Sequence, residues 1–307
     1  MSSIPPYRSS FSASPKYDEE TLRAATYLLK SQSLGQRGAV DMLGVSLSGT
    51  DIIGHTFGTQ GREQCEQIMR LDAALGQFLD ALDDIEGGVI LSLTADHGGS
   101  DINERTAARG FPFAGRADMA PVVEANAALR QQFGLSFDPL NRGASGLRIT
   151  DADKRTMAEP MRTEVAKAAV ELLNGKGDLY FVGFIDDLLA DPVPDSLHPE
   201  LLSVRERMRL SAVQGVSADL MIALAPGKST GGRLGSNLSS HGQPWDYDRR
   251  VPIIFWAPDA EGQERFMPVR TIDIAPTIAN IMGLETPELD GRCMDLGLGE
   301  AAPCPVK

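Results

Sequence analysis

The chain holds only four histidines, His55, His97, His198 and His241, and three of them sit beside glycine. The segment SGTDIIGH places Asp51 and His55 four residues apart, and TADHGG places Asp96 directly before His97. Neutral imidazole and carboxylate together make a hard-to-borderline donor set suited to zinc, and a catalytic zinc keeps one position open for water or substrate. A single D-x-x-x-H or D-H-G arises often by chance. Two such pairs plus His241, spread over three glycine-containing segments of one α/β pattern, point together to a metal site. His198, in PDSLHPE, has a polar turn-like setting with no such pairing and reads as a surface residue.

The elements that must position these residues follow from hydropathic periodicity. Residues 1–16 are rich in Ser and Pro and read as a mobile lead-in, after which YDEETLRAATYLLKSQSL shows helical spacing behind an acidic first turn. AVDMLGVSLS is a short apolar run with the look of a strand, GREQCEQIMRLDAALGQFLDALDDI repeats apolar positions every three or four residues, and GGVILSLTADHGG reads as a buried strand stopped by glycines. Strand, helix, strand with nearly continuous apolar strands predicts an α/β fold with a mostly parallel central sheet flanked by helices. In such sheets the carboxyl ends of strands converge on the ligand crevice, which is where Asp51 and Asp96 are expected. Residues 101–217 lose this rhythm and predict an inserted or cap region, not a separate fold; the core is assigned to 17–100 and 218–307, resuming with ADLMIALAPG, VPIIFWAP and TIDIAPTIANIMGL.

Composition narrows the partners. Twenty-nine basic against forty-two acidic residues give 29 − 42 = −13, a balance that disfavours a nucleic-acid or anionic-membrane surface. An anionic substrate would therefore need locally bound cations. The sequence contains no apolar run long enough to span a bilayer and no export-signal pattern, which leaves its compartment open. Its three cysteines, Cys65, Cys293 and Cys304, form no C-x-x-C pair; Cys293 and Cys304 could close a short loop under oxidising conditions or remain thiols in a reducing one.

SLSGTDIIGHTFG, LTADHGG, HGQPWDYDRRVPIIFWAP and TIDIAPTIANIMGLETPELDGR, in that order between Asp41 and Arg292, resemble the alkaline phosphatase superfamily. The resemblance is strongest to its threonine-nucleophile branch, related to nucleotide pyrophosphatase/phosphodiesterases. It implies phosphate-ester hydrolysis on two zinc ions, with Asp51, His55 and His241 holding one ion and Asp96 and His97 supplying two ligands of the other. Manganese or iron would tolerate the same ligands. In that branch phosphoryl transfer passes through a covalent threonine, and a cation pair about 4 Å apart stabilises the attacking and leaving oxygens.

The resemblance also has a gap. The nucleophilic threonine, a further metal aspartate and the phosphate-contacting residues of that branch lie near its N-terminus, and nothing upstream of Asp41 looks like them. The expectation is a chain corresponding to the C-terminal part of a longer enzyme, with one complete zinc site. Ser48, Thr50 and Thr94 are the stand-in nucleophiles near the motifs; direct attack by water is the simpler residual route. A sheet lacking its first strands exposes apolar edge, which predicts a homo-oligomer or pairing with a complementary N-terminal chain.

Rival readings are a non-catalytic zinc-binding remnant and a serine hydrolase built on Gly227–Gly231, GKSTG, with Ser229 as nucleophile. The second fails on context, because a nucleophile elbow feeds a helix and this segment runs into a glycine-rich loop. A sulfatase is disfavoured by the lack of a C-x-P-x-R or S-x-P-x-R segment.

Overall fold

The computed structural model describes residues 10–86, 88–143, 146–195, 198–231, 237–258, 260–297 and 304. The chain divides into two compact units, Met1–Asp101 with Arg233–Ser239 and Arg250–Lys307, and Ile102–Gly232 with Ser240–Arg249.

The first unit opens with helix α1 (Lys16–Ser31), whose acidic first turn carries Asp18 and Glu19. Leu22, Ala25 and Leu29 recur on one face of α1 and pack against Phe78 and Leu82 of α3 (Arg62–Leu82). Burying side chains of this size contributes about 1.5–3 kcal/mol each, enough to fix the two helices against one another. Between them lies α2 (Gly49–Phe57). The strand β1 (Leu91–Thr94) pairs with the returning strand Ile253–Trp256, and a short turn, Thr271–Asp273, leads into the helix Ile274–Ile281.

The second unit has its own core. Strands Leu140–Arg142, Gly146–Ile149, Leu220–Leu224 and Leu179–Phe184 form a sheet in that spatial order, and each adjacent pair is antiparallel. Leu129, Val165 and Leu173 from helices Ala120–Phe133 and Met161–Leu173 share this core with Ile149, Leu179, Val182 and Leu220 from the strands. Gly115–Arg116 and Lys228–Ser229 add a short parallel pair.

The α/β class holds, while several details differ from expectation. Strand pairing among the described residues is mostly antiparallel instead of mostly parallel, since β1 also runs against its partner. Leu220, Met221, Ala223 and Leu224 are all buried, so both faces of that strand are covered. A continuous apolar run reports such two-sided burial and not strand direction, which is why it misled. The same strand, expected in the core with 218–307, belongs to the second unit, and the region read as a cap carries a sheet and core of its own. AVDMLGVSLS is assigned to no strand: Leu43 and Leu47 pack on the α1/α3 core while Val40, Met42 and Val45 stay exposed. Residues 1–9 of the expected lead-in lie outside the described residues, whereas 10–12 are helical and 13–15 turn into α1, with the Phe11 ring meeting Tyr17 of α1 edge-on at 5.8 Å. Among the described residues no helix is long and apolar enough to cross a membrane.

Candidate metal centre

Asp51 and His55 ride on α2, not on a loop at a strand end as expected. Their four-residue spacing is one helical turn, so both side chains leave the same face. Asp51 Oδ1 lies 3.5 Å from His55 Nε2. The other ring nitrogen, His55 Nδ1, faces the Ser239 carbonyl oxygen at 2.8 Å. A carbonyl only accepts, so Nδ1 carries the proton and Nε2 is turned toward the carboxylate.

Ser239 connects the pieces of this centre. Its backbone N–H and that of Leu238 both donate to the His55 carbonyl, at 3.2 and 2.8 Å. Its buried hydroxyl donates to the Ser100 carbonyl, three residues after His97. One residue therefore holds both the helix of Asp51 and His55 and the loop after Asp96 and His97.

Beyond β1, Asp96 and His97 repeat the same geometry. His97 Nδ1 donates to the Gly98 carbonyl at 2.8 Å, and His97 Nε2 lies 3.6 Å from Asp96 Oδ2. Asp96 Oδ1 also accepts the His97 backbone N–H at 3.1 Å. The two pairs meet: a carboxylate oxygen of Asp51 and a ring nitrogen of His97 lie within 4.8 Å of each other. Imidazoles pinned through Nδ1 to backbone carbonyls, with Nε2 beside carboxylates, have the second-sphere support that metal-binding histidines carry, and the donor set fits zinc or a similar borderline cation.

The remaining candidates differ in their surroundings. His241 stands two positions beyond Ser239, half-buried, on the segment Ser240–Arg249 of the second unit. Thr50 Oγ1 accepts from Gln67 Nε2 at 3.0 Å. Ser48, the residue before α2, and Thr94, which donates to the Ala95 carbonyl, are both exposed. Ser229 is buried in a polar network: its hydroxyl donates to Asn103 Oδ1 at 2.6 Å and accepts from Arg116 at 3.2 Å. These partners do not include a base to activate it, and it ends the two-residue strand Lys228–Ser229 instead of standing on a nucleophile elbow. His198 is exposed with Glu200 3.5 Å away, as expected of a surface residue. Cys293 and Cys304 are joined by a disulfide and Cys65 is exposed.

Sequence reasoning missed Ser239, because the group that orients His55 is its backbone carbonyl, which every residue type possesses. It also missed Asp18. That residue looked like ordinary first-turn acidity of α1, yet it is buried and binds the start of α2.

The fold has known counterparts. The crystal structure of wild-type alkaline phosphatase PafA superimposes with a TM-score of 0.72 at 22% identity, covering 91% of this chain and 51% of that one. Residues 2–177 match the type I phosphodiesterase / nucleotide pyrophosphatase family, and the chain belongs to that family, within the alkaline phosphatase superfamily. Alkaline phosphatase PhoD of Zymomonas mobilis is 38% identical over 300 residues, covering 97% of this chain and 52% of the relative. Alkaline phosphatase PhoK of a Sphingomonas species is 35% identical over 302 residues, with coverage of 96% and 53%. The chain thus spans about half the length of these relatives.

Proposed function

We propose that this chain carries the metal-binding part of a phosphate-ester hydrolase that uses zinc, with Asp51, His55, Asp96 and His97 as ligands and His241 completing the set. The observation that carries the reading is the matched orientation of His55 and His97, each pinned through Nδ1 at 2.8 Å with a carboxylate 3.5–3.6 Å from Nε2. Family membership and the alkaline phosphatase names of the relatives support the reaction class. His241 joins on chain continuity: it follows Ser239, itself bound to His55, by two residues, a reach of roughly 7 Å at full extension.

A cation held here supplies Lewis-acid stabilisation of phosphoryl oxygens and acidifies water. The chain's own part is to present two Nε2 atoms and two carboxylates from rigidly tied segments. Of the candidate hydroxyls Ser48, Thr50 and Thr94, Thr50 Oγ1 accepts from Gln67 and Thr94 donates to the adjacent Ala95 carbonyl, and neither of those partners is a base. Water is therefore the expected nucleophile for this chain alone. The bonds of Thr50 and Thr94 also support a second reading, a zinc-binding protein without turnover.

Hydrolysis of p-nitrophenyl phosphate and bis-p-nitrophenyl phosphate with added zinc, before and after chelation, in wild type and in His55→Ala and His241→Ala, tests both. Zinc-dependent turnover lost in the variants supports the hydrolase; zinc binding without turnover selects the second reading. Turnover indifferent to chelation and to both substitutions rejects the site.

A further inference from the structure

We propose that Asp18 is a positioning residue for the metal centre, a buried clamp that sets the orientation of α2 and hence of Asp51 and His55. The inference rests on the reading of those two residues as ligands, and it concerns a residue 33 positions before the first of them.

Asp18 lies on the first turn of α1 and is 1% exposed. Its Oδ1 accepts the backbone N–H of Gly49, the first residue of α2, at 2.8 Å. That N–H is one of the donors a helix start leaves without an intrahelical acceptor, and an acidic side chain is favoured at the positive end of the helix dipole. The residue before α2, Ser48, makes no side-chain cap, so Asp18 takes over that role from another helix. Its other oxygen, Oδ2, accepts from Gln67 Nε2 on α3 at 2.7 Å, and the same amide donates to Thr50 Oγ1 at 3.0 Å. Gln67 is fully buried. The start of α2 is thereby held from α1 and α3 together, at Gly49 and Thr50, the two residues before Asp51.

Gly49 makes this approach possible. A Cβ there would lie 2.8 Å from Asp18 Oδ2 and 2.9 Å from its Cγ, closer than side chains pack. The glycine of the SGTD segment thus serves contact with Asp18, not conformational freedom.

The test uses the full chain with cobalt(II) as probe, reading its visible absorption bands and its dissociation constant by competition. Peptide-resolved hydrogen exchange of the metal-free protein is measured alongside. Asp18→Ala should weaken cobalt binding about 10-fold or more, the scale of second-sphere losses, and speed exchange at 49–57 without a matching change in the sheet strand 220–224. Asp18→Asn should recover part of the affinity, since the asparagine oxygen can still accept from Gly49 and the Gln67 amide can turn to receive its NH2. A uniform rise in exchange with unaltered cobalt affinity would mean a merely structural role and overturn the proposal. If Asp18→Ala does not fold, Asp18→Asn and Gln67→Met give the same two readouts, and wild-type affinity in both sinks it. Failure of the wild-type chain to bind cobalt would overturn the ligand reading and this role with it.

Discussion

The imidazole of His55 donates through Nδ1 to the carbonyl of Ser239, 184 positions further along the chain, at 2.8 Å. That bond fixes which nitrogen is presented to the Asp51 side, and the Ser239 hydroxyl extends the tie to Ser100, next to the His97 loop. Three distant stretches are therefore locked by one residue whose side chain is not itself a ligand. The centre's geometry depends on backbone groups as much as on the acids and imidazoles.

Removing the imidazole should hurt more than removing the Ser239 hydroxyl. His55→Ala deletes a proposed ligand and is expected to lower zinc affinity more than about 100-fold, whereas Ser239→Ala keeps the carbonyl and should cost about 10-fold or less. His198→Ala, at an exposed site, should leave zinc affinity unchanged and stability within about 0.5 kcal/mol. Competition with a chromophoric chelator measures all three; equal affinities for wild type and His55→Ala would count decisively against the site.

The sequence made the donors legible and the supports opaque. Asp51 and His55 stand out because a carboxylate four residues from a histidine beside glycine, and the rarity of histidine, are visible in one dimension. Their placement on a helix was missed because SGTDIIGH follows an apolar run that looks like a strand; with Val40 and Met42 exposed, that run pairs with no strand among the described residues. Asp18, Gln67 and Ser239 act through contacts 31 to 184 positions away, and no local pattern encodes such contacts. Strand direction was hidden for a different reason: LMIAL is apolar throughout because both of its faces are buried, which parallel and antiparallel interior strands share.

The thiols give a direct check on the C-terminal segment. With Cys293 bonded to Cys304 and Cys65 exposed, titration of the native unreduced protein with an aromatic disulfide should find one reactive thiol, and the reduced, denatured protein three. Three thiols before reduction would contradict the bond.

Val40, Met42 and Val45 are 68%, 65% and 36% exposed on a segment in which Leu43 and Leu47 pack inward. An exposed apolar segment of this kind favours association with another apolar surface. Sedimentation velocity should show a weight-average mass that rises with concentration, and Met42→Lys should suppress the rise. A monomer at every concentration in both proteins would reject an oligomer built on this segment.

Asp273 should govern the acid limb of stability. It is fully buried; burial pushes its pKa up, but the Arg292 backbone N–H at 2.8 Å, the Arg270 guanidinium at 2.9 Å and the Arg270 N–H at 3.0 Å outweigh that and hold it below the ordinary carboxylate value. A depressed folded-state pKa means the unfolded chain takes up the proton first as pH falls. The stabilisation is thus complete above the unfolded value of about 3.9 and is lost on descending through the lower folded value. Asp273→Asn weakens the acceptors and removes the charge opposite Arg270, so it should cost about 1–3 kcal/mol near neutrality. It should also flatten the decline of unfolding free energy between about pH 5 and pH 2. Urea titrations across that range, for wild type and variant, measure both effects; parallel acid limbs would show that the charge of Asp273 does not hold the Arg270–Arg292 segment.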